Sequence, residues 1–110
     1  MRVVARNVLV TGGELDLIAV EHAADGPVIV VVEVRSTETE DLERVAASVD
    51  VRKQRTLTEA ALRFLSARRL LGHAVRFDVL AISWPPGRRE PRVVHYRHAF
   101  EAVGRFQMWN

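Results

Sequence analysis

Three stretches of this chain carry the apolar patterning of strands, the first two followed by turn residues. Val3 to Val10 is closed by Thr11-Gly12-Gly13, Glu14 to Val20 leads to Asp25-Gly26-Pro27, and Val28 to Arg35 is a β-branched run of the kind buried on both faces of a sheet. Short turns between consecutive strands predict a three-stranded meander. From Thr39 the period changes. Leu42, Val45, Ala46 and Val49 predict a short helix, and Leu57, Ala60, Ala61, Phe64 and Leu65 form the core stripe of a longer one from about Val51 to Leu71, ended by Gly72. Val75 to Ser83 returns to strand, Trp84-Pro85-Pro86-Gly87 breaks it, and Pro91 to Tyr96 is the fifth strand. The expected fold is α/β: a mixed sheet of β-meander, helix and two further strands, with helices covering one side at least.

A length of 110 residues supports one sheet with its covering helices and no second core, so residues 1–110 are expected to form a single domain. No cysteine is present, which excludes disulfide staples, zinc-thiolate sites and thiol nucleophiles. The N-terminus has no apolar signal region and no segment reaches membrane-spanning length, so the expected compartment is the cytoplasm, with no membrane partner. Net charge is only +2, which does not by itself identify a partner. Of the sixteen basic residues all but Lys53 are Arg, a residue suited to bidentate phosphate contacts.

The chemistry concentrates in two strands. Alternation puts Glu14 and Asp16 on one face of their strand, and Glu33 and Arg35 on one face of the next, so pairing the two would gather three carboxylates and a cation. Charges set in a run as apolar as Val28 to Val34 are costly to bury without a partner such as a divalent cation. Asp16 and Glu33 are the candidate ligands. A hard cation such as Mg2+ takes oxygen donors and keeps several waters, so one or two carboxylates suffice, and the backbone carbonyl of Val34 could add a further donor. Glu14 is read either as an additional acid of the site or as a cap on the preceding glycine turn.

Asp16 followed by Glu33-Val34-Arg35 is close to the Asp…(Asp/Glu)-x-Lys pattern of restriction-endonuclease-like nucleases. More specifically, Ala5-Arg6-Asn7, the run Gly12 to Ala19, Val32-Glu33-Val34, Val49 to Lys53, Arg76 to Ile82 and Ala99-Phe100 together resemble the YraN family of uncharacterised bacterial proteins. That family is similar to archaeal Holliday-junction resolvases. The resemblance implies a restriction-endonuclease-like fold and Mg2+- or Mn2+-dependent hydrolysis of DNA phosphodiesters. It assigns Asp16, Glu33, Arg35 and Glu14 to the catalytic set, with Asp16, Glu33 and Val34 at the metal. Three departures stand out: Arg35 occupies the place of the family's lysine, the usual preceding helix with its Gly-Glu pair is missing before Met1, and Leu42 to Ala47 reads as helix where the family has a Gly- and Pro-containing loop.

Arginine cannot act as a general base, so reduced or lost nuclease activity is expected. The rivals are a non-catalytic nucleic-acid-binding module and a protein-interaction domain on the same scaffold. Arg52, Lys53 and Arg55 open the long helix and are candidate nucleic-acid contacts, with a plain solvated face as the alternative. Asp78 is expected to pair with a neighbouring Arg, and His22, His73, His95 and His98 to be structural or exposed. Trp84 and Trp109 could stack on a base but are expected to pack. An open strand edge or the apolar Val3, Val8 and Val10 would favour a homodimer, unless Phe106, Met108 and Trp109 cover that surface.

Overall fold

The computed structural model describes residues 1–103. Phe106, Met108 and Trp109 therefore lie outside the described residues. Five strands, β1 (Arg2–Val10), β2 (Gly13–Ala23), β3 (Gly26–Thr37), β4 (Ala74–Ser83) and β5 (Arg92–Phe100), form one sheet in that order. The meander is present: β1–β2 and β2–β3 are antiparallel neighbours. β3 and β4 run parallel, joined by α1 (Leu42–Ala47) and α2 (Val51–Ala67), and β5 closes the sheet antiparallel to β4. A parallel pair needs such a crossover because a hairpin cannot reverse the chain twice. This is the expected mixed α/β sheet, and its order is consistent with a restriction-endonuclease-like arrangement.

Two-sided burial of the β-branched run follows as its composition required. Ile29 to Glu33 are buried without interruption. On one face Ile29 and Val31 pack with Leu15, Ile18, Phe77 and Val79 against Leu57, Ala60, Ala61, Phe64 and Leu65 of α2. On the other, Val30 and Val32 pack with Ala19, Leu17, Val28 and Leu80. Phe77 and Phe100 stack at 5.0 Å and tie β4 to β5.

Two boundaries differ from the sequence reading. α2 stops at Ala67, four residues before Leu71, because Arg69 adopts φ +58° and the Leu70 N–H turns back to the Leu65 carbonyl at 2.8 Å. An arginine, not Gly72, thus makes the left-handed turn that ends the helix. β5 continues past Tyr96 to Phe100 through an irregularity opposite Phe77 and Val79, with His98 at φ +49°. His95 and His98 lie within this strand.

Candidate active site

A local break in alternation sets the position of Asp16. Leu15 and Ile18, three residues apart, both enter the main core, as do Ala5 and Val8 across from them on β1. A regular strand cannot turn residues three apart to one face. The break falls at Asp16 and, opposite it, at Asn7, whose φ is +49°. Asparagine tolerates that conformation better than most residues. At the same level the β2–β3 ladder stops, its last pair toward this end being Leu17↔Val32. The Val34 N–H instead donates to Asp16 Oδ2 at 2.9 Å, so a carboxylate takes over from the backbone where the strands part.

Glu33 lies two residues beyond Val31 on the helix-covered face and is only 5% exposed. Burial, then the hydrogen bond and charge of the Asp16 carboxyl beside it, push the Glu33 carboxyl up to about 7 against the opposing influence of Lys53 and Arg35. Arg35 Nε lies 3.5 Å from Glu33 Oε2 and is buried with no hydrogen-bond partner. Lys53 Nζ reaches the same oxygen at 3.4 Å. Its position is fixed by Asp50, the N-cap of α2, whose side chain accepts from the Lys53 N–H at 2.9 Å. Within a strand, the N–H and C=O of one residue point to the same side, so the Val34 carbonyl is directed to the gap where Asp16 sits.

The structure thus gathers Asp16, Glu33, Val34 and Arg35 as expected, and adds Lys53. Glu14 is a correction. It is exposed, pairs across β1 with the exposed Leu9, and makes no ion pair or hydrogen bond with the other site residues among those described. Simple alternation put Glu14 beside Asp16, but the break between Leu15 and Leu17 uncouples their directions. Arg52 and Arg55 are exposed on α2 and have no ion pair among the described residues, whereas Lys53 turns inward. The sequence did hold a signal for Lys53: it is the single lysine of the chain, three residues after a capping Asp.

A second polar cluster lies on the other face of the sheet. Asp78 is fully buried; it accepts from Arg76 Nε and Nη2 at 2.8 and 3.0 Å and from the His98 N–H at 2.9 Å, with His95 Nε2 at 2.7 Å. Burial alone would raise its carboxyl, but these hydrogen bonds outweigh it and hold Asp78 below the usual range. Arg76 also spans β3 to reach Glu21 on β2 at 2.8 Å, and Arg97 on β5 joins the same carboxylate. Hydrogen bonds from Arg76 and then Arg97 lower Glu21 to about 2. The expected Asp78–Arg pairing is present, and His95 is structural. Trp84 is 53% exposed, and its indole N–H donates to the Arg88 carbonyl at 3.0 Å rather than packing in the core.

No group of three or more His, Asp or Glu residues able to hold a metal occurs among the described residues. The donor set at Asp16 and Glu33 is two carboxylates and a carbonyl, the set that suits a hydrated hard cation. No helix among the described residues is long and apolar enough to cross a membrane.

A five-stranded α/β sheet with a restriction-endonuclease-like arrangement and paired carboxylates where two strands part defines the class. Within it, residues 1–82 match the model of the uncharacterised protein family UPF0102, the YraN family, and the chain belongs to that family. It is 43% identical over 105 residues to a UPF0102 protein of Rhodopirellula baltica, an alignment covering 94% of this chain and 62% of that relative. A UPF0102 protein of Xanthomonas euvesicatoria is 43% identical over 104 residues, covering 93% and 78%, and one of Geotalea uraniireducens 39% over 99, covering 90% and 74%.

Proposed function

We propose that this chain is a metal-dependent endonuclease-like protein that acts on nucleic-acid phosphodiesters, DNA in the first instance, in the cytoplasm. The observation that carries the reading is the meeting of the Asp16 and Glu33 carboxylates where the β2–β3 ladder ends, with two cationic side chains on Glu33. A carboxyl raised to about 7, first by its burial and then by a second carboxyl beside it, is a site in want of a cation, and the oxygens of the two fit Mg2+ or Mn2+. Asp16 and Glu33 would hold it, with the Val34 carbonyl as a further donor. When bound, such an ion supplies Lewis-acid stabilisation of phosphate charge and a more acidic water. Asp16 is held in place by the Val34 N–H, and Glu33 by its burial in the strand. Arg35 contributes permanent positive charge that attracts a phosphate but cannot take up a proton.

The non-catalytic binding module is the second reading, favoured by Arg35 standing where the family has lysine. Incubating the protein with linear and branched DNA in the presence of Mg2+ or Mn2+ decides between them. Cleavage supports the nuclease, and binding without cleavage supports the module. In either case binding is expected to be independent of sequence and carried by Arg52, Lys53, Arg55 and neighbouring arginines. With ~4 phosphates neutralised, log affinity should fall against log salt with a slope of about −3.6. A flat dependence removes nucleic acid as the partner.

Glu33 also gives the metal-free protein a characteristic pH response. A carboxyl raised from 4.5 to about 7 contributes stability that is full below the lower value and is lost as pH rises through the higher one. The melting temperature without metal should therefore fall between pH 5 and pH 8, by an amount equivalent to at most about 3 kcal/mol. Mg2+ should restore it most at the alkaline end, where both carboxylates are charged. A melting temperature that is level across this range in the presence of chelator would show that Glu33 is not held neutral by its surroundings.

A further inference from the structure

Two cations meet one oxygen of Glu33, and they are not equivalent. The contacts of Arg35 Nε and Lys53 Nζ, at 3.5 and 3.4 Å, are both longer than the ~2.7–2.9 Å of a charge-assisted hydrogen bond. Arg35 arrives along β3, the same strand as Glu33, and its Nε is buried against that carboxylate. Lys53 arrives from α2; its side chain is 36% exposed, about as much as the 34% of Arg35, so what separates the two is the element each comes from and the burial of Arg35 Nε. An ammonium has three N–H donors, and only one can be directed at Glu33. The others remain for a group entering from solvent.

The position is a poor one for a purely structural cation. Lys53 occupies the first turn of α2, where no acidic residue is present and positive charge opposes the helix dipole. It is also the only lysine among sixteen basic residues in a chain that otherwise uses arginine throughout. A compact ammonium on a flexible stem can follow a reacting group through small displacements more readily than a planar guanidinium whose Nε is buried.

Resting on the function proposed above, we propose that Lys53 is a substrate-contacting residue of this site and donates hydrogen bonds to a non-bridging oxygen of the scissile phosphate. In the reaction a water oxygen forms a bond to phosphorus and gives up a proton to solvent, the bond from phosphorus to the leaving sugar oxygen breaks, and that oxygen is protonated from solvent. Lys53 keeps its protons throughout. It stabilises charge on the phosphoryl oxygen and completes, from the helix, a site whose other members lie on β2 and β3.

Two measurements test this. Lys53→Met should lower single-turnover cleavage of a DNA duplex by about 10²- to 10³-fold, the effect of losing one donor to developing charge. The variant should still fold and still bind Mn2+, so that at saturating Mn2+ the loss is read in the cleavage rate alone, and Arg2→Met, at the far end of β1, should change that rate less than about threefold. Secondly, a single lysine means that protein labelled with 13C-lysine gives one Cε resonance, assigned without further work. In protein already saturated with Ca2+, adding duplex should shift that resonance again. No further shift on duplex binding, or full cleavage by Lys53→Met, overturns the inference while leaving the metal site standing. Absence of both Mn2+ binding and cleavage in the unaltered protein overturns the site reading itself, and this inference with it.

Discussion

Asp16→Asn is expected to lower Mg2+-supported DNA cleavage by at least about 10²-fold while leaving the melting temperature nearly unchanged. The two effects separate because Asp16 has two tasks. Its Oδ2 accepts the Val34 N–H at 2.9 Å, and an asparagine carbonyl oxygen can do the same. Its negative charge, which asparagine lacks, is what would hold the proposed cation together with Glu33. Removing that charge should also let the Glu33 carboxyl fall back toward its ordinary value, since Asp16 is the main influence after burial that raises it. Asp16→Ala removes both tasks, leaves the Val34 N–H without a partner, and should cost about 1 kcal/mol of stability in addition to activity. Thermal melts and cleavage assays on the two variants check the separation. Undiminished cleavage by Asp16→Asn would remove Asp16 from the reaction centre.

The largest effect on stability is expected on the opposite face. Asp78→Ala should cost about 3–5 kcal/mol, because it strands a buried part of the Arg76 guanidinium and leaves the His98 N–H unpaired. For a domain of this size the melting temperature should fall by at least about 10 °C. The sign of the pH effect is opposite to that of Glu33. A carboxyl held below its ordinary value contributes stability that is full above the normal carboxylate range and lost as pH falls through its lowered value. Acid melts of the unaltered protein should show this loss, and Asp78→Ala should lack most of it. A small change in melting temperature would mean that water replaces the lost carboxylate.

The element order and the meander were legible because β-branched runs bounded by Gly-Gly and Asp-Gly-Pro have few other solutions. Asp16 and Glu33 were legible for a related reason, as charges placed in or beside runs that must be buried. The sequence reading went astray where a backbone irregularity interrupts a period. Alternation was trusted through Leu15 to Leu17, where the structure breaks it opposite Asn7, and Glu14 was assigned to the wrong company. Arg69 likewise takes a left-handed conformation that its residue type does not announce. Lys53 was assigned with Arg52 and Arg55 because helical position alone does not reveal which of three neighbouring side chains leans over a strand. That depends on how α2 docks, a tertiary fact set by Leu57, Ala61 and Phe64.

The crossover that makes β3 and β4 parallel has a consequence for when the site can exist at all. Asp16 and Glu33 come together as soon as the N-terminal hairpins close, but Lys53 lies inside the connection between β3 and β4 and is brought in only when α2 settles on the sheet. The β3–β4 pairing that completes the sheet joins residues 46 apart, as at Val28↔Ala74, and closes late because the intervening chain must lose its freedom first. On the function proposed above, a chain emerging during synthesis would hold an acidic pocket without its helical cation, and any hydrolytic competence would arrive only with the finished domain.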